Sequence, residues 1–563
     1  MGIRRVHRWL VPLIGIATLW GGVAVPAGAA VEKAERTVSP VRECAELVRA
    51  YDLPGARTKV EQAAVVPAGA QGPEHCDVQG AIEPAIKFRL KLPTQTYSGR
   101  YLQVGCGAYC GVIPDLTFPD CGKQAPGDVA VAGTDNGHVG TGELPFLDTE
   151  WAKDNQQARD DFFYRAPHVL SRASKAIIKT FYGQGPRVSY FDGCSMGGRE
   201  ALLLAQRYPY DFDGIISSAS AHYMGPGLGS YLAWLAQANL RPDGTAVLSA
   251  VKLRVVNAAA IAACDTIDGL EDGILADPRA CTWDPVALRC PSGADRPDCL
   301  TAAQVTAMRK LYTRPADAHG RVLYPASLPR GGELALIGYG TPDPDNGIDV
   351  PFIIPDANAY LENLGYPIGK PHSSVFDYEF TARDFHRLTP EGRKGNAASL
   401  DLSKFKRAGG KLLLWSGWSD MAVPAEATVD YYSRLASRNG GLAKTQEWAR
   451  LFLIPSGHHC LIGGDPQGLN VFQPFDELVS WVERGKAPER IVAAGTDNPW
   501  NPGGPVVRTR PVFPYPLVAK YDGSGSIDDE RNFVAGKPIV NPKYDQIDWL
   551  GEYLSYVPGP VAR

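Results

Sequence analysis

The stretch from Gly193 to Gly197 (GCSMG) places a serine between two glycines. An apolar, aromatic run at residues 188–191 precedes it, and a helix-like run at 199–207 follows it. In this context the G-x-S-x-G pattern is typical of a nucleophile elbow, a sharp strand-to-helix turn that exposes the hydroxyl of Ser195. The turn is crowded, so a side chain at either glycine would clash with a neighbouring element. In a glycine-rich chain the pentapeptide can also arise by chance.

A serine hydroxyl becomes a nucleophile when a histidine takes its proton and a carboxylate fixes the tautomer of that histidine. In sheet-based hydrolases the order along the chain is Ser, then Asp or Glu, then His, each on a loop after a strand. Asp420 follows the strand-like run KLLLW, and His459 follows the strand-like run LFLI. Asp420 alone could cap the next helix, and His458 or His459 could be ordinary loop residues. The order and the strand context together predict a triad with Ser195.

The tetrahedral intermediate of such a reaction carries an oxyanion that backbone N–H groups must stabilise. One donor is expected at Met196, directly after the nucleophile, and the other in a turn that follows an early strand. The glycine-rich stretch 105–111 follows a strand-like run at 100–104, and Gly107 is the predicted donor. Such a turn could also be no more than a tight strand exit.

Short apolar strands that alternate with helices predict an α/β fold with a mostly parallel sheet covered on both faces. The predicted strands are 86–92, 100–104, 129–134, 188–191, 214–218, 411–415 and 451–454, and the predicted helices are 43–51, 162–181, 199–207 and 472–484.

One long stretch of the sequence lacks this alternation of strands and helices. Residues 223–407 are rich in Pro, Gly, Asp and Cys and carry few strand signals. We interpret them as a large inserted lid domain, because structureless loops of this length are uncommon. The core then comprises a first part at 30–222 and a second part at 408–536, and residues 537–563 form a C-terminal tail without a functional interpretation.

The N-terminus has the pattern of an export signal. Three arginines lie within the first eight residues, residues 9–25 are apolar, and residues 27–29 (AGA) are small. This predicts a signal peptide over residues 1–29 and a secreted or periplasmic protein. An uncleaved membrane anchor is the weaker interpretation, and no later stretch is long and apolar enough to span a bilayer.

The composition limits the classes of partner that the protein is expected to bind. The 563 residues are 44% hydrophobic, which permits a large core, and the net charge of −4 offers no electrostatic basis for binding nucleic acid or an anionic membrane. Export makes the eleven cysteines disulfide candidates rather than zinc ligands. A disulfide between Cys194 and Cys460 would hold Ser195 and His459 in register; two buried free thiols are the alternative. An odd number leaves at least one cysteine free or paired between chains.

A second cluster lies between Cys264 and Cys281. Asp265, Asp268 and Asp272 space carboxylates around glycine turns, an arrangement that suits Ca²⁺, which takes six to eight oxygen ligands. The spacing is not that of an EF-hand. A polar loop of Asx turns is the alternative.

With these residues the chain resembles the tannase and feruloyl esterase family of secreted serine hydrolases. The resemblance rests on GCSxGG at 193–198, on the Trp418-Ser419-Asp420 loop, and on His459-Cys460 followed by two glycines at 463–464. The Cys-Ser and His-Cys pairing is specific to this family. The resemblance implies an α/β-hydrolase core with a lid inserted between the nucleophile and acid strands, and esters of aromatic acids as substrates.

Residue by residue, the resemblance implies the triad Ser195, Asp420 and His459 and no organic cofactor. It implies a structural calcium site in the lid formed by Asp265, Asp268, Asp272 and the carbonyls of Leu270 and Ile274. The implied disulfides are Cys44–Cys76, Cys194–Cys460, Cys264–Cys281 and Cys290–Cys299. Three cysteines are left over, and among them we expect Cys110 to pair with Cys121, which leaves Cys106. The usual run of four glycines in the oxyanion turn is GCGA here, which leaves the choice of donor open.

The predicted function is therefore a secreted serine esterase acting on small aromatic, phenolic esters. The alternatives are a terephthalate monoester hydrolase of the same family, a secreted serine peptidase, and a calcium-dependent binding protein with an inactive core. A lid arginine such as Arg383, Arg387 or Arg393 could hold a substrate carboxylate, although each alone is more typical of a solvated surface charge. No nucleic acid and, after signal cleavage, no membrane is expected as a partner. The oligomeric state stays open.

Overall fold

A mixed sheet of ten strands organises the protein. The computed structural model describes residues 37–69, 72–114, 116 and 127–562, so the predicted signal peptide and Cys121 lie outside the described residues. The described residues form the strands β1 (Ala50–Tyr51), β2 (Thr58–Val66), β3 (His75–Ile82), β4 (Ile86–Pro93), β5 (Arg100–Val104), β6 (Val129–Thr134), β7 (Val188–Cys194), β8 (Gly214–Ser218), β9 (Lys411–Gly417), β10 (Ala449–Ile454), β11 (Ile491–Thr496), β12 (Val506–Val512), β13 (Val518–Tyr521) and β14 (Phe533–Gly536).

Helices precede and follow the strands of the second half of the sheet. They are α1 (Gln156–Asp160), α2 (Ala166–Tyr182), α3 (Met196–Arg207), α4 (Leu232–Asn239), α5 (Ala250–Cys264), α6 (Ala302–Leu311), α7 (Ile353–Asn358), α8 (Ala382–Arg387), α9 (Thr389–Gly395), α10 (Ser403–Arg407), α11 (Ala425–Arg438), α12 (Leu442–Gln446) and α13 (Phe475–Arg484). None of the helices in the described part of the chain combines the length and apolarity that crossing a bilayer requires.

The sheet order is β1-β2-β3-β4-β6-β5-β7-β8-β9-β10. Strands β5 to β10 are mutually parallel, whereas β1 to β4 pair antiparallel with one another and β4 pairs antiparallel with β6. The carboxyl ends of the parallel strands therefore meet at one edge of the sheet, where α/β folds hold their ligands.

Both faces of the parallel strands are covered. Every residue of β5, β6, β7 and β8 is buried. Because successive side chains of a strand point to opposite faces, Ile215 packs in the cluster that includes α2 and α3, and Ile216 packs in the cluster that includes α13. This burial accounts for the continuous apolar runs in the sequence.

The structure shows an α/β-hydrolase-like fold, as predicted, and differs in its N-terminal part. Strands β5, β6 and β8 have the predicted boundaries. The helix predicted at 43–51 is instead one 3₁₀ turn, Cys44–Leu47, followed by β1, which pairs with β2. Strands β2 and β3 were not predicted, because half of the β2 side chains are exposed and the apolar signal is weak.

Residues 219–410 connect β8 to β9, which are neighbours in the sheet. Helices α4 to α10 lie in this segment, and so do the disulfides Cys264–Cys281 and Cys290–Cys299. The insertion thus follows the strand next to the elbow and precedes the strand that ends near Asp420.

Candidate active site

Ser195 lies at the turn between β7 and α3. Its backbone has φ 60° and ψ −116°, a region that non-glycine residues rarely adopt. A hydrogen bond to the neighbouring strand β8 stabilises the turn, because the Ser195 N–H donates to the Ser218 carbonyl at 3.0 Å. The Ala221 N–H in turn donates to the Ser195 carbonyl at 3.1 Å. The predicted strand–turn–helix geometry around this serine is present, with the strained residue at its centre.

Glycines make this turn possible because backbone segments approach one another closely. A Cβ on Gly193 would lie 2.5 Å from the carbonyl carbon of Gly197, and one on Gly198 would lie 2.2 Å from the Ser218 oxygen. A Cβ on Gly105 would lie 2.6 Å from the Gly197 Cα. The turn after β5 therefore packs directly against the start of α3.

His459 and Asp420 are brought together from loops after β10 and β9. The His459 Nδ1 lies 2.8 Å from Asp420 Oδ2. Asp420 is fully buried, and its other oxygen accepts the N–H groups of Ala422 at 2.9 Å and Val423 at 2.8 Å. These contacts fix the carboxylate, which can then orient the imidazole. The neighbouring His458 instead contacts Asp465, with Nε2 and Oδ1 3.1 Å apart.

The disulfide Cys194–Cys460 joins the residue before Ser195 to the residue after His459, with the two Cα atoms 5.9 Å apart. It ties the elbow to the histidine loop across 266 residues of sequence. The structure also contains the other pairs that the resemblance implies, namely Cys44–Cys76, Cys264–Cys281 and Cys290–Cys299.

The candidate oxyanion donors lie on the two segments that meet at Gly105 and Gly197. Met196 is the first residue of α3, and a helix leaves its first N–H groups without an intrahelical acceptor. Gly107 lies in the turn after β5, where its carbonyl accepts the Cys110 N–H at 2.9 Å.

The expected disulfide Cys110–Cys121 is wrong, because Cys110 pairs with Cys106. The turn between them is tight, with positive φ at Ala108 (45°) and Cys110 (63°). It brings the two Cα atoms to 5.3 Å, a separation that a disulfide can bridge.

Glu200 lies buried behind this turn, and the sequence reasoning missed it. Its Oε2 accepts the Cys106 N–H at 3.3 Å, and Asn136 donates an amide N–H to its Oε1. Burial raises the pKa of this carboxyl. The available signal was its position on α3, one helical turn after Met196. Within the described residues, Cys106, Cys110 and Glu200 form the one group of three close potential metal ligands, but the disulfide removes the thiolates that a metal would need.

A carboxyl group from the inserted segment also lies near His459. Asp356 on α7 accepts the Tyr339 hydroxyl at 3.0 Å, and its backbone carbonyl accepts the Tyr109 hydroxyl at 2.8 Å. Burial raises the pKa of Asp356 to about 6, while the hydrogen bond from the Tyr339 hydroxyl acts in the opposite direction, as would a positive charge on His459. No local pattern in the sequence marks this aspartate.

The three arginines predicted as candidates for holding a substrate carboxylate all lie in the segment between β8 and β9. Arg387 donates to Asp384 Oδ1 at 3.0 Å and stacks over Tyr366. Arg383 and Arg393 are exposed.

The acidic loop begins with the 3₁₀ turn Asp265–Asp268 after α5. Asp265 Oδ2 accepts the Gly273 N–H at 2.9 Å, and Asp268 Oδ1 accepts the Leu270 N–H at 3.0 Å. Burial, helped by the negative charges of Asp272 and Asp265, raises the pKa of Asp268 to about 6.

Asp272 lies further along the acidic loop, after the 3₁₀ turn. Its Oδ1 accepts the Ile274 N–H at 3.1 Å, and its Oδ2 pairs with Arg510. Within the described residues the three carboxyl groups do not bring their oxygens within 4.8 Å of one another. The donor set itself, carboxylates and backbone carbonyls on one disulfide-closed loop, has the chemistry that a hard cation prefers.

Comparison with known proteins identifies the family to which the chain belongs. The profile of tannase and feruloyl esterase matches residues 70–535. The chain belongs to this family. Mono(2-hydroxyethyl) terephthalate hydrolase from Piscinibacter sakaiensis is 34% identical to it over 557 residues, covering 86% of this chain and 89% of that protein. Probable feruloyl esterase B-2 from Aspergillus terreus is 30% identical over 450 residues, covering 78% and 81%.

Among tannase and feruloyl esterase structures, feruloyl esterase B from Aspergillus oryzae superposes with a TM-score of 0.73 at 27% identity, covering 86% of this chain and 97% of that one. As a member of the tannase and feruloyl esterase family, this protein is a carboxylic ester hydrolase.

Proposed function

We propose that this protein is a secreted serine esterase that hydrolyses esters of aromatic, phenolic acids through Ser195, His459 and Asp420. The observation that carries the proposal is the 2.8 Å contact between His459 Nδ1 and Asp420 Oδ2, next to the disulfide that joins the histidine loop to the elbow. Family membership supports the ester chemistry, and similarity to feruloyl esterases supports the phenolic acyl group.

In the proposed mechanism His459 takes the proton of Ser195 Oγ as the oxygen attacks the ester carbonyl. The N–H groups of Met196 and Gly107 stabilise the oxyanion. The C–O bond to the alcohol then breaks, and His459 gives its proton to the leaving oxygen. Water attacks the acyl-enzyme with the same histidine as base, and Asp420 stabilises the imidazolium in both steps.

The test is an ester panel with purified mature protein. It contains methyl ferulate, methyl gallate, mono(2-hydroxyethyl) terephthalate and a short p-nitrophenyl ester. We expect turnover of the phenolic esters, and a fall in kcat of about 10⁵-fold or more for Ser195→Ala, because the nucleophile is lost. Equal rates for wild type and Ser195→Ala would contradict the catalytic role, and no turnover of any ester by folded protein would contradict the function.

A second candidate is hydrolysis of terephthalate monoesters. It is favoured by the 34% identity to the terephthalate monoester hydrolase, which is slightly higher than the 30% identity to the feruloyl esterase from Aspergillus terreus. The same panel separates the two, because kcat/KM for the monoester would then exceed that for methyl ferulate.

We also propose that residues 223–407 act as a lid domain and that the acidic loop, with Asp265, Asp268, Asp272 and the carbonyls of Leu270 and Ile274, binds a structural Ca²⁺. Secretion through a cleaved signal peptide fits the five disulfides of the described residues.

Calcium binding is tested by thermal unfolding at one pH. After treatment with chelator, added Ca²⁺ should raise the Tm of wild type, because a ligand that binds only the folded state stabilises it. Asp268→Ala should lose this rise, and Mg²⁺ should give a smaller one. The same Tm with chelator and with excess Ca²⁺ would contradict the site.

A further inference from the structure

The inserted segment reaches the oxyanion turn at Asp356. The hydroxyl of Tyr109, which lies in that turn, donates to the backbone carbonyl of Asp356 at 2.8 Å. The hydroxyl of Tyr339 donates to its carboxyl at 3.0 Å. Both tyrosines are buried, so the two contacts fix the aspartate at the place where the insertion meets the hydrolase core.

The carboxyl of Asp356 is held by a neutral partner, the Tyr339 hydroxyl. Two buried aspartates differ from it, because Asp430 pairs with Arg434 and Asp161 pairs with Arg165. Within the described part of the chain, no ion pair joins a lysine or arginine to Asp356, and the nearby group that can become cationic is His459. Tyrosine hydroxyls stabilise a carboxylate but leave its net charge in place.

Asp356 also keeps a surface that a ligand can reach. The residue is only partly buried, so part of it stays accessible. With its pKa raised to about 6, it is ionised at pH 8. A substrate held between Ser195 and His459 would then lie near a negative charge inside a water-poor site, where charge interactions are stronger than in water.

We infer that Asp356 is a specificity-determining residue that disfavours ester substrates carrying a carboxylate. This inference rests on the proposed function, namely that Ser195, His459 and Asp420 catalyse ester hydrolysis. It follows that neutral aromatic esters are the better substrates and that terephthalate monoesters, which carry a carboxylate across the ring, are disfavoured.

The test uses two substrates of nearly the same shape, one anionic and one neutral, namely monomethyl terephthalate and methyl 4-carbamoylbenzoate, at pH 8. We expect wild type to prefer the neutral amide by about tenfold or more in kcat/KM, as expected from repulsion between like charges at low local dielectric. In Asp356→Asn the preference should fall to about twofold, through a gain on the anionic ester.

Asp349→Asn is the matched control. It removes the same charge from the same inserted segment at an exposed position, and it should keep the wild-type preference. A loss of structure alone would lower both rates together and would not change their ratio. Asp356→Ala is the second variant if the asparagine variant does not fold.

The outcomes separate this inference from the function on which it depends. Equal kcat/KM of wild type for the two esters, or an unchanged preference in the folded Asp356 variants, would overturn the role of Asp356 while leaving the esterase intact. No Ser195-dependent turnover of either ester or of methyl ferulate would overturn the proposed function, and the inference with it.

Discussion

Two adjacent histidines have different partners, and this difference can be tested residue by residue. His459 contacts Asp420, whereas His458 contacts Asp465. We expect His459→Ala to lower kcat/KM by about 10⁴-fold or more, because the general base is lost. His458→Ala should stay within about tenfold of wild type, because it removes a loop contact and no proton acceptor.

The measurement is steady-state hydrolysis of methyl ferulate, with circular dichroism as the control for folding. An equal loss in folded His458→Ala would mean that the contact between His459 and Asp420 does not define the base.

At the residue scale, contacts between residues that belong to a sequence pattern could be predicted. Contacts that depend on tertiary packing could not. Asp420 and His459 could be found because their order and their preceding strands are written in the sequence. Asp356 could not be found, since its contact with Tyr109 depends on how the insertion folds over the core. The pairing of Cys110 was missed because positive φ at Ala108 and Cys110 closes a turn that spacing does not reveal.

At the scale of elements, the elbow depends on how closely α3 approaches the end of β8. A Cβ on Gly198 would lie 2.2 Å from the Ser218 oxygen, which is backbone and cannot move without moving β8. We expect Gly198→Ala to cost about 2 kcal/mol or more of stability. It should also lower kcat, because Ser195 is displaced.

Gly185→Ala is the matched control, since a Cβ there meets nothing within 4 Å. It should leave both Tm and kcat close to wild type. Thermal unfolding and ester hydrolysis of the two variants provide the comparison, and equal Tm values would contradict the close approach.

Burial decides which elements the sequence predicts. Strands β5, β6 and β8 are buried along their whole length, so their apolar runs identify them with the right boundaries. Strand β2 has several exposed residues, and β3 includes Asp77 and Gly80, so neither has a strong apolar pattern. Their place in the sheet comes from antiparallel pairing, which is a long-range property.

At the scale of the whole molecule, the C-terminal tail joins the inserted segment to the core. The Leu550 N–H donates to Val322 in the insertion at 2.8 Å, and the Ile547 N–H donates to Asp430 on α11 at 2.8 Å. Trp549 is buried and packs edge-on against Tyr223, with ring centroids 4.8 Å apart.

We expect Trp549→Ala to lower the free energy of unfolding by about 3 kcal/mol, because it leaves a large cavity. Tyr544→Ala, in the same tail with the tyrosine 65% exposed, should change it by less than about 0.5 kcal/mol. Denaturant titration of both variants measures the difference. Similar midpoints would mean that the tail does not hold the two parts together.

The disulfide between Cys194 and Cys460 also makes the polypeptide between them a covalent ring. Any single cut in residues 219–410 opens that ring without releasing a fragment, because both new ends stay attached through the sulfur bridge. Limited trypsin digestion should therefore give two bands on a reducing gel and one full-length band on a non-reducing gel. Nicked protein can keep its elbow and histidine loop side by side, so a protease that trims the insertion need not inactivate the esterase.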